Sequence, residues 1–187
     1  MESSPTRCLW VNKDAEYIAY HDNEWGKPTR DNHHLFEMIC LEGQQAGLSW
    51  YTILKKRQGY REAFHNFDPT KIALMDETDV DRLMQDPRVV RNRAKINAII
   101  ANAKAYLKME ENGEIFSKFI WQFVDNQPII NHWQALSEVP AETEISKCLS
   151  KELKKRGFKF VGSITCYAFM QAIGMVNDHL VTCFQHK

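Results

Sequence analysis

Apolar residues along this chain recur at three- and four-residue intervals, the period of a helix with one buried face. Leu35, Met38, Ile39 and Leu41 form one such run behind Asp31, whose short carboxylate suits an N-cap. Asp68-Pro69 opens another, because Asp caps and Pro is tolerated at the first helical position. Thr78 and Asp81 stand at capping-box spacing ahead of Leu83 and Met84. Asp86-Pro87 begins a long helix with Val90, Ile96, Ile99, Ile100, Ala103 and Leu107 on its apolar face, ending near Gly113. A segment from about Glu114 to Val124 brings Phe116, Phe119, Ile120 and Phe123 together. Pro128 and Pro140 bound a loop over 125–142. A helix then runs from about Thr143 to Arg156, with Gly157 just past its end. Gly162 precedes a last, strongly apolar helix, Ser163 to Ile173. Residues 1–30 read as irregular and rich in aromatics. No internal repeat and no alternating strand pattern interrupts this reading, so the fold class expected is all-α.

The last two helices are joined by GFKFVG, residues 157–162. Helix, glycine-bounded turn, helix is the form of the helix-hairpin-helix motif. Its glycines let the backbone come close to a DNA phosphate, and its second helix offers unpaired N–H groups to an anion. Gly157 and Gly162 are the candidate backbone contacts, and Lys155 and Lys159 add charge. Such contacts hold a duplex without reading its sequence. An ordinary αα-hairpin has the same outline. Formal net charge is zero, so the only hint of a polyanionic partner is local. Residues 151–160 carry five basic side chains against Glu152, and 88–95 carry four and no acid. A solvated helix face produces the same pattern.

The length of 187 residues fits a single domain with its own core. No apolar run approaches a membrane span, and MESSPTRCLW has no apolar signal region. The five cysteines are odd in number and scattered, which is not a disulfide framework. A reducing, cytoplasmic setting with thiols free for metal is expected. Two short patterns at opposite ends, Cys8-x12-His21 and His179-x3-Cys183, supply two thiolates and two imidazoles. That is a usual set for structural zinc, and it leaves no position for a catalytic water. On a helix, His179 and Cys183 would share one face. A Zn2+ held by Cys8, His21, His179 and Cys183 would staple the N-terminal segment to the C-terminal one. Alternatively, the histidines are ordinary polar residues and the cysteines fill the core.

KRGFKFVGSITCYAFMQAIGMVNDH, residues 155–179, resembles the segment of helix-hairpin-helix DNA glycosylases that runs from the hairpin to the active-site aspartate. Asn177 stands where that family places the aspartate, and the neighbouring Asp178 is expected to point elsewhere, with at most a role in orienting His179. YHDNEWGKP at 20–28 and LFEMICLEGQQAGLSW at 35–50 resemble the defining segments of the 3-methyladenine DNA glycosylase I family. The resemblance extends from Cys8 to Cys183 and includes all four candidate metal ligands.

It implies a two-lobed helical bundle with a structural zinc and no organic cofactor. The implied activity is hydrolysis of the N-glycosidic bond of 3-methyladenine in double-stranded alkylated DNA, without a lysine Schiff base. By the same resemblance Glu42 is the catalytic-pocket carboxylate, which accepts hydrogen bonds from the base edge. Tyr20 is its polar companion and Trp50 the stacking platform. Trp10, Tyr17 and Trp25 are further aromatic faces suited to a cationic base. Taken residue by residue, each aromatic could equally be core. His33-His34 read as solvated at a helix start, and His65, His132 and His186 have no company that suggests a site. The chain is expected to act as a monomer. Two other readings remain open: a damage-binding protein without chemistry, and a zinc-dependent hydrolase, against which the filled ligand set argues.

Overall fold

The computed structural model describes residues 4–187. Among them the chain forms nine α-helices: α1 Ala15–Asn23, α2 Asn32–Gln44, α3 Trp50–Ala63, α4 Pro69–Ile72, α5 Glu77–Leu83, α6 Arg93–Glu111, α7 Phe116–Trp121, α8 Glu144–Lys155 and α9 Ser163–Ala172. One pair of two-residue strands, β1 Ile129–Ile130 and β2 Val176–Asn177, runs parallel with Ile129 opposite Val176. The all-α expectation holds, with this short bridge added. Among the described residues no helix is long and apolar enough to cross a membrane.

Short polar side chains start most helices. Asp31, Asp68 and Thr143 cap α2, α4 and α8 as their positions implied, and Gly157 follows α8 at φ +95°. Several starts differ from expectation. Asp14 accepts from the N–H groups of Glu16 and Tyr17 and begins α1 inside the segment read as irregular. The capping box of α5 is Asp76 with Asp79, not Thr78 with Asp81. The long helix starts at Arg93 behind Asn92, rather than at Pro87. Residues 86–92 instead form a turn, in which Asp86 accepts from the Arg88 N–H at 2.9 Å and the Val90 N–H donates to the Tyr60 hydroxyl at 3.0 Å.

The main core joins Leu35, Phe36 and Ile39 of α2 to Ile96 and Ile99 of α6 and to Phe169 and Met170 of α9. Two small apolar clusters flank it, one around Tyr17, Tyr20 and Leu54 and one around Cys8, Leu180 and Cys183. The segment after α1 is locked to the end of α9: Gly26 N–H donates to Gln171 O and Thr29 N–H to Ile173 O, both at 3.1 Å. Gly174 makes this approach possible. Its φ is +78°, and an added Cβ would lie against Pro28 N and Lys27 C and 2.7 Å from Lys27 O. Gly174→Ala should therefore destabilise the fold by about 3 kcal/mol or more in chemical denaturation. Gly113→Ala is the control, because Gly113 has φ +80° but open space around it, and only the dihedral cost of about 1–2 kcal/mol should appear there.

Candidate active site and metal centre

A cavity of about 220 Å³ lies between α1, the end of α2, the start of α3, the 136–139 turn and α9. That is small beside drug-sized pockets and suits one planar base. Trp10, Tyr17, Tyr20, Trp25, Glu42 and Trp50 all line it, so every residue assigned to the pocket from sequence arrives in one place. The aromatic rings brace one another. Trp10 lies 5.1 Å from Tyr17 and 5.0 Å from Trp25, and Tyr20 lies 5.5 Å from Trp50, centroid to centroid. Among the described residues no lysine, arginine or histidine lines the cavity.

Its polar groups are unusual. Glu42 Oε2 and Trp50 Nε1 are buried and have no hydrogen-bond partner, which is a costly arrangement for a fold to keep without a ligand. Burial pushes the Glu42 carboxyl up to about 8. Burial, then the nearby Glu42, raises the Tyr20 phenol well above its ordinary value.

Against one wall of this cavity sits a cluster of side chains that could hold a metal ion. The ligand atoms of Cys8, His21, His179 and Cys183 all lie within 4.8 Å of one another, and all four residues are buried. Cys8 Sγ is 3.4 Å from His179 Nδ1, and Cys183 Sγ is 3.4 Å from His21 Nε2 and 3.5 Å from His179 Nδ1. Those edges match a tetrahedron with metal–ligand bonds of about 2.0–2.3 Å. The outer ring nitrogens are also engaged: His21 Nδ1 with Asp22 at 2.7 Å, and His179 Nε2 with the Trp25 carbonyl at 3.1 Å. Arg7 in turn forks onto Asp22. Burial, the largest cause for each, pushes the Cys8 thiol up to about 12 and the His179 imidazole down to about 4. A neutral imidazole is ready to ligate, and a bound cation would supply the charge that thiolates there require. The donor set therefore fits a structural metal ion.

Residues 10–186 match the methyladenine glycosylase family. The chain belongs to that family. It is 63% identical to DNA-3-methyladenine glycosylase 1 of Escherichia coli (strain K12), over 95% of each chain. A crystal structure of 3-methyladenine DNA glycosylase I superposes with a TM-score of 0.96 at 60% identity, covering 97% of this chain and all (100%) of the other. A variant of 3-methyladenine DNA glycosylase I in complex with 3-methyladenine superposes with a TM-score of 0.93 at 41% identity, covering 97% of each chain.

In this methyladenine glycosylase the hairpin connects α8 and α9 as expected. Phe160 has φ +54° in the turn, and no side chain caps the start of α9 at Gly162. Lys155 pairs with Glu152 at 2.9 Å. The Lys159 N–H donates to Asn102 Oδ1 at 2.7 Å, so buried Asn102 of α6 holds the turn; the sequence offered no sign of this. The turn also packs on α2: a Cβ on Gly43, next to Glu42, would lie 3.0 Å from Phe160 O.

Two points that the sequence left open about His179 and Cys183 are decided by the structure. Neither residue lies on a helix: His179 follows β2 on irregular chain, and Cys183 closes a turn in which its N–H donates to Leu180 O at 2.8 Å. Asp178 does not orient His179; the Trp25 carbonyl does. Asp178 lines the cavity, while Asn177 accepts from the His179 N–H at 3.1 Å. Asp178, Gln171 and Gln45 are the polar lining residues that sequence reasoning missed.

Proposed function

We propose that this cavity takes a 3-methyladenine nucleotide extruded from alkylated duplex DNA, and that the chain hydrolyses its N-glycosidic bond, releasing the free base and leaving an abasic site. The unpartnered Glu42 Oε2 and the unpartnered Trp50 N–H, on two residues that line one aromatic cavity with no basic residue among its described lining, carry this reading. A base must leave the stack before such a cavity can hold it. N3-methylation puts positive charge on adenine and weakens its bond to the sugar, so the leaving group needs little acid assistance. Glu42 releases its proton and faces the cationic base as a carboxylate. Trp50 stacks on it, Tyr20 is the polar companion, and Trp10, Tyr17 and Trp25 offer further ring faces. Neutral adenine gains none of the charge-dependent part of this binding.

The Cys8, His21, His179 and Cys183 cluster holds Zn2+ in this proposal, as a staple that takes no part in the reaction. The hairpin grips the phosphate backbone through the glycine-bounded turn at Gly157 and Gly162 and the start of α9, with Lys155 and Lys159 adding charge. Lys159→Ala should weaken binding to any duplex, lesion or not, and reduce the salt dependence of binding by about one counterion. Affinity for free 3-methyladenine should not change.

The decisive experiment is chromatographic detection of bases released from methylated duplex DNA. Free 3-methyladenine above a no-enzyme blank supports the reading. Binding of the duplex without release would make the chain a damage-binding protein.

A further inference from the structure

Asp178 is a buried carboxylate in the cavity wall that the proposed reaction has not yet used. Its Oδ1 accepts from Asn131 Nδ2 at 2.7 Å and Trp133 Nε1 at 2.9 Å. Its Oδ2 accepts from the Tyr167 hydroxyl at 2.5 Å and from Gln171 Nε2 at 2.9 Å. Among the described residues no basic side chain is a partner, and these four donors to the carboxylate are all neutral.

The consequence falls on Gln171, which lines the cavity beside Asp178. A primary amide has a donor end and an acceptor end. A carboxylate accepts only, so the nitrogen of Gln171 must face Asp178; the reversed amide would set oxygen against oxygen. The carbonyl oxygen is then the polar atom that Gln171 has left for the cavity. The helix beneath it is pinned, because the Gln171 backbone carbonyl accepts from Gly26 N–H.

We propose that Asp178 is a positioning residue that holds the Gln171 amide with its carbonyl oxygen toward the bound cationic nucleotide, making Gln171 a specificity residue. This rests on the base-excision reading above. It gives the wall an acceptor on α9 to complement Glu42 on α2. A positive charge, whether on the methylated base or shifted toward the sugar as the bond breaks, meets oxygen on both sides.

The test exchanges the two chemistries. Asp178→Asn keeps an oxygen for Asn131 and Trp133 but presents an NH2 to Tyr167 and Gln171. The Tyr167 hydroxyl can accept. Gln171 must turn over to accept, which points its own NH2 into the cavity. Single-turnover excision from methylated duplex should fall about 10- to 100-fold, the scale of one buried hydrogen-bonding position reversed. Adding Gln171→Glu restores an acceptor that can receive the new NH2 and still offer oxygen to the cavity. The double variant should recover most of the lost rate, whereas Gln171→Glu alone opposes two carboxylates and should be worse than wild type. Loss and recovery of excision while the melting midpoint stays at the wild-type value is the result that a merely structural Asp178 would not produce.

A double variant no better than Asp178→Asn, or an Asp178→Asn variant as active as wild type, overturns the proposal. If Asp178→Asn does not fold, Gln171→Leu replaces it, since Asp178 then keeps Asn131, Trp133 and Tyr167. A loss of about tenfold is expected, and unchanged excision overturns the proposal. A wild type that releases no base overturns the excision reading instead. The same variants are then ranked by binding to lesion-bearing duplex, where the same order is expected and any other order refutes the Gln171 assignment.

Discussion

Glu42→Gln is expected to lower excision of 3-methyladenine by about 100- to 1000-fold while making the free protein more stable at neutral and alkaline pH. Both effects come from the same burial. The Glu42 carboxyl is pushed from an ordinary value of 4.5 up to about 8, because burial penalises its charged form. A raised carboxyl binds more protons in the folded state than in the unfolded one. Its contribution to stability is therefore fully present below about pH 4.5 and is lost as pH rises through about 8. Glutamine cannot ionise, so the variant should lose this slope, which a denaturation series across that window will show. Activity has the opposite sign. The lesion carries a fixed positive charge, so the rate at low substrate should rise with pH through about 8 in wild type and stay flat in the variant. Full excision by the Glu42→Gln variant, or a wild type whose stability does not fall across this window, would sink the assignment.

Such a group is a place where fold and function pull apart. Its neighbours in sequence, CLEG, contribute a buried helix end, and Glu42 sits there with one oxygen unpartnered. A fold optimised only for stability would place an apolar residue at that position.

Helices with Asp, Pro or Gly at their ends were legible from sequence: α2 behind Asp31, α4 at Asp68-Pro69, and the α8–α9 hairpin between Gly157 and Gly162. Two others were not. The inner face of α1 is Tyr17, Tyr20 and His21, which does not read as a hydrophobic stripe. The inner face of α3 is Ile53, Leu54, Tyr60 and Ala63, interrupted by Arg57, which is drawn inward by Glu24 at 2.6 Å. The pocket aromatics and Glu42 were legible because family resemblance singled them out, not because their spacing did. Asp178 was missed by one position. Asn177 pairs opposite Ile130 in the bridge, and successive residues of extended chain face opposite ways. Once that bridge sets the register, Asp178 rather than Asn177 lines the cavity. No local pattern in VNDH reveals a bridge to residues more than forty positions away.

Removing an ion from the proposed site at Cys8, His21, His179 and Cys183 is expected to cost both stability and excision, and the positions of these residues explain why. His21 follows Tyr20, His179 follows Asp178, and Cys8 lies two residues before Trp10; all three neighbours line the cavity. His179 also holds Trp25 by its carbonyl, and its ring meets the Trp25 ring edge-on at 4.7 Å. A tetrahedral ion would fix the walls of the base pocket without touching the base. Extraction by a strong chelator, or Cys183→Ser, should lower the melting midpoint by roughly 10 °C or more, since a buried structural site contributes several kcal/mol. Excision should fall with the folded fraction, and readdition of Zn2+ should restore both in the chelated wild type. Loss of excision with an unchanged melting curve would contradict the staple and point to a metal with an open coordination position. The filled set of two thiolates and two imidazoles argues against that outcome. The reason is spatial as well as chemical: the cluster is packed behind Trp10 and Trp25, so those rings, rather than the ion, meet whatever enters the cavity.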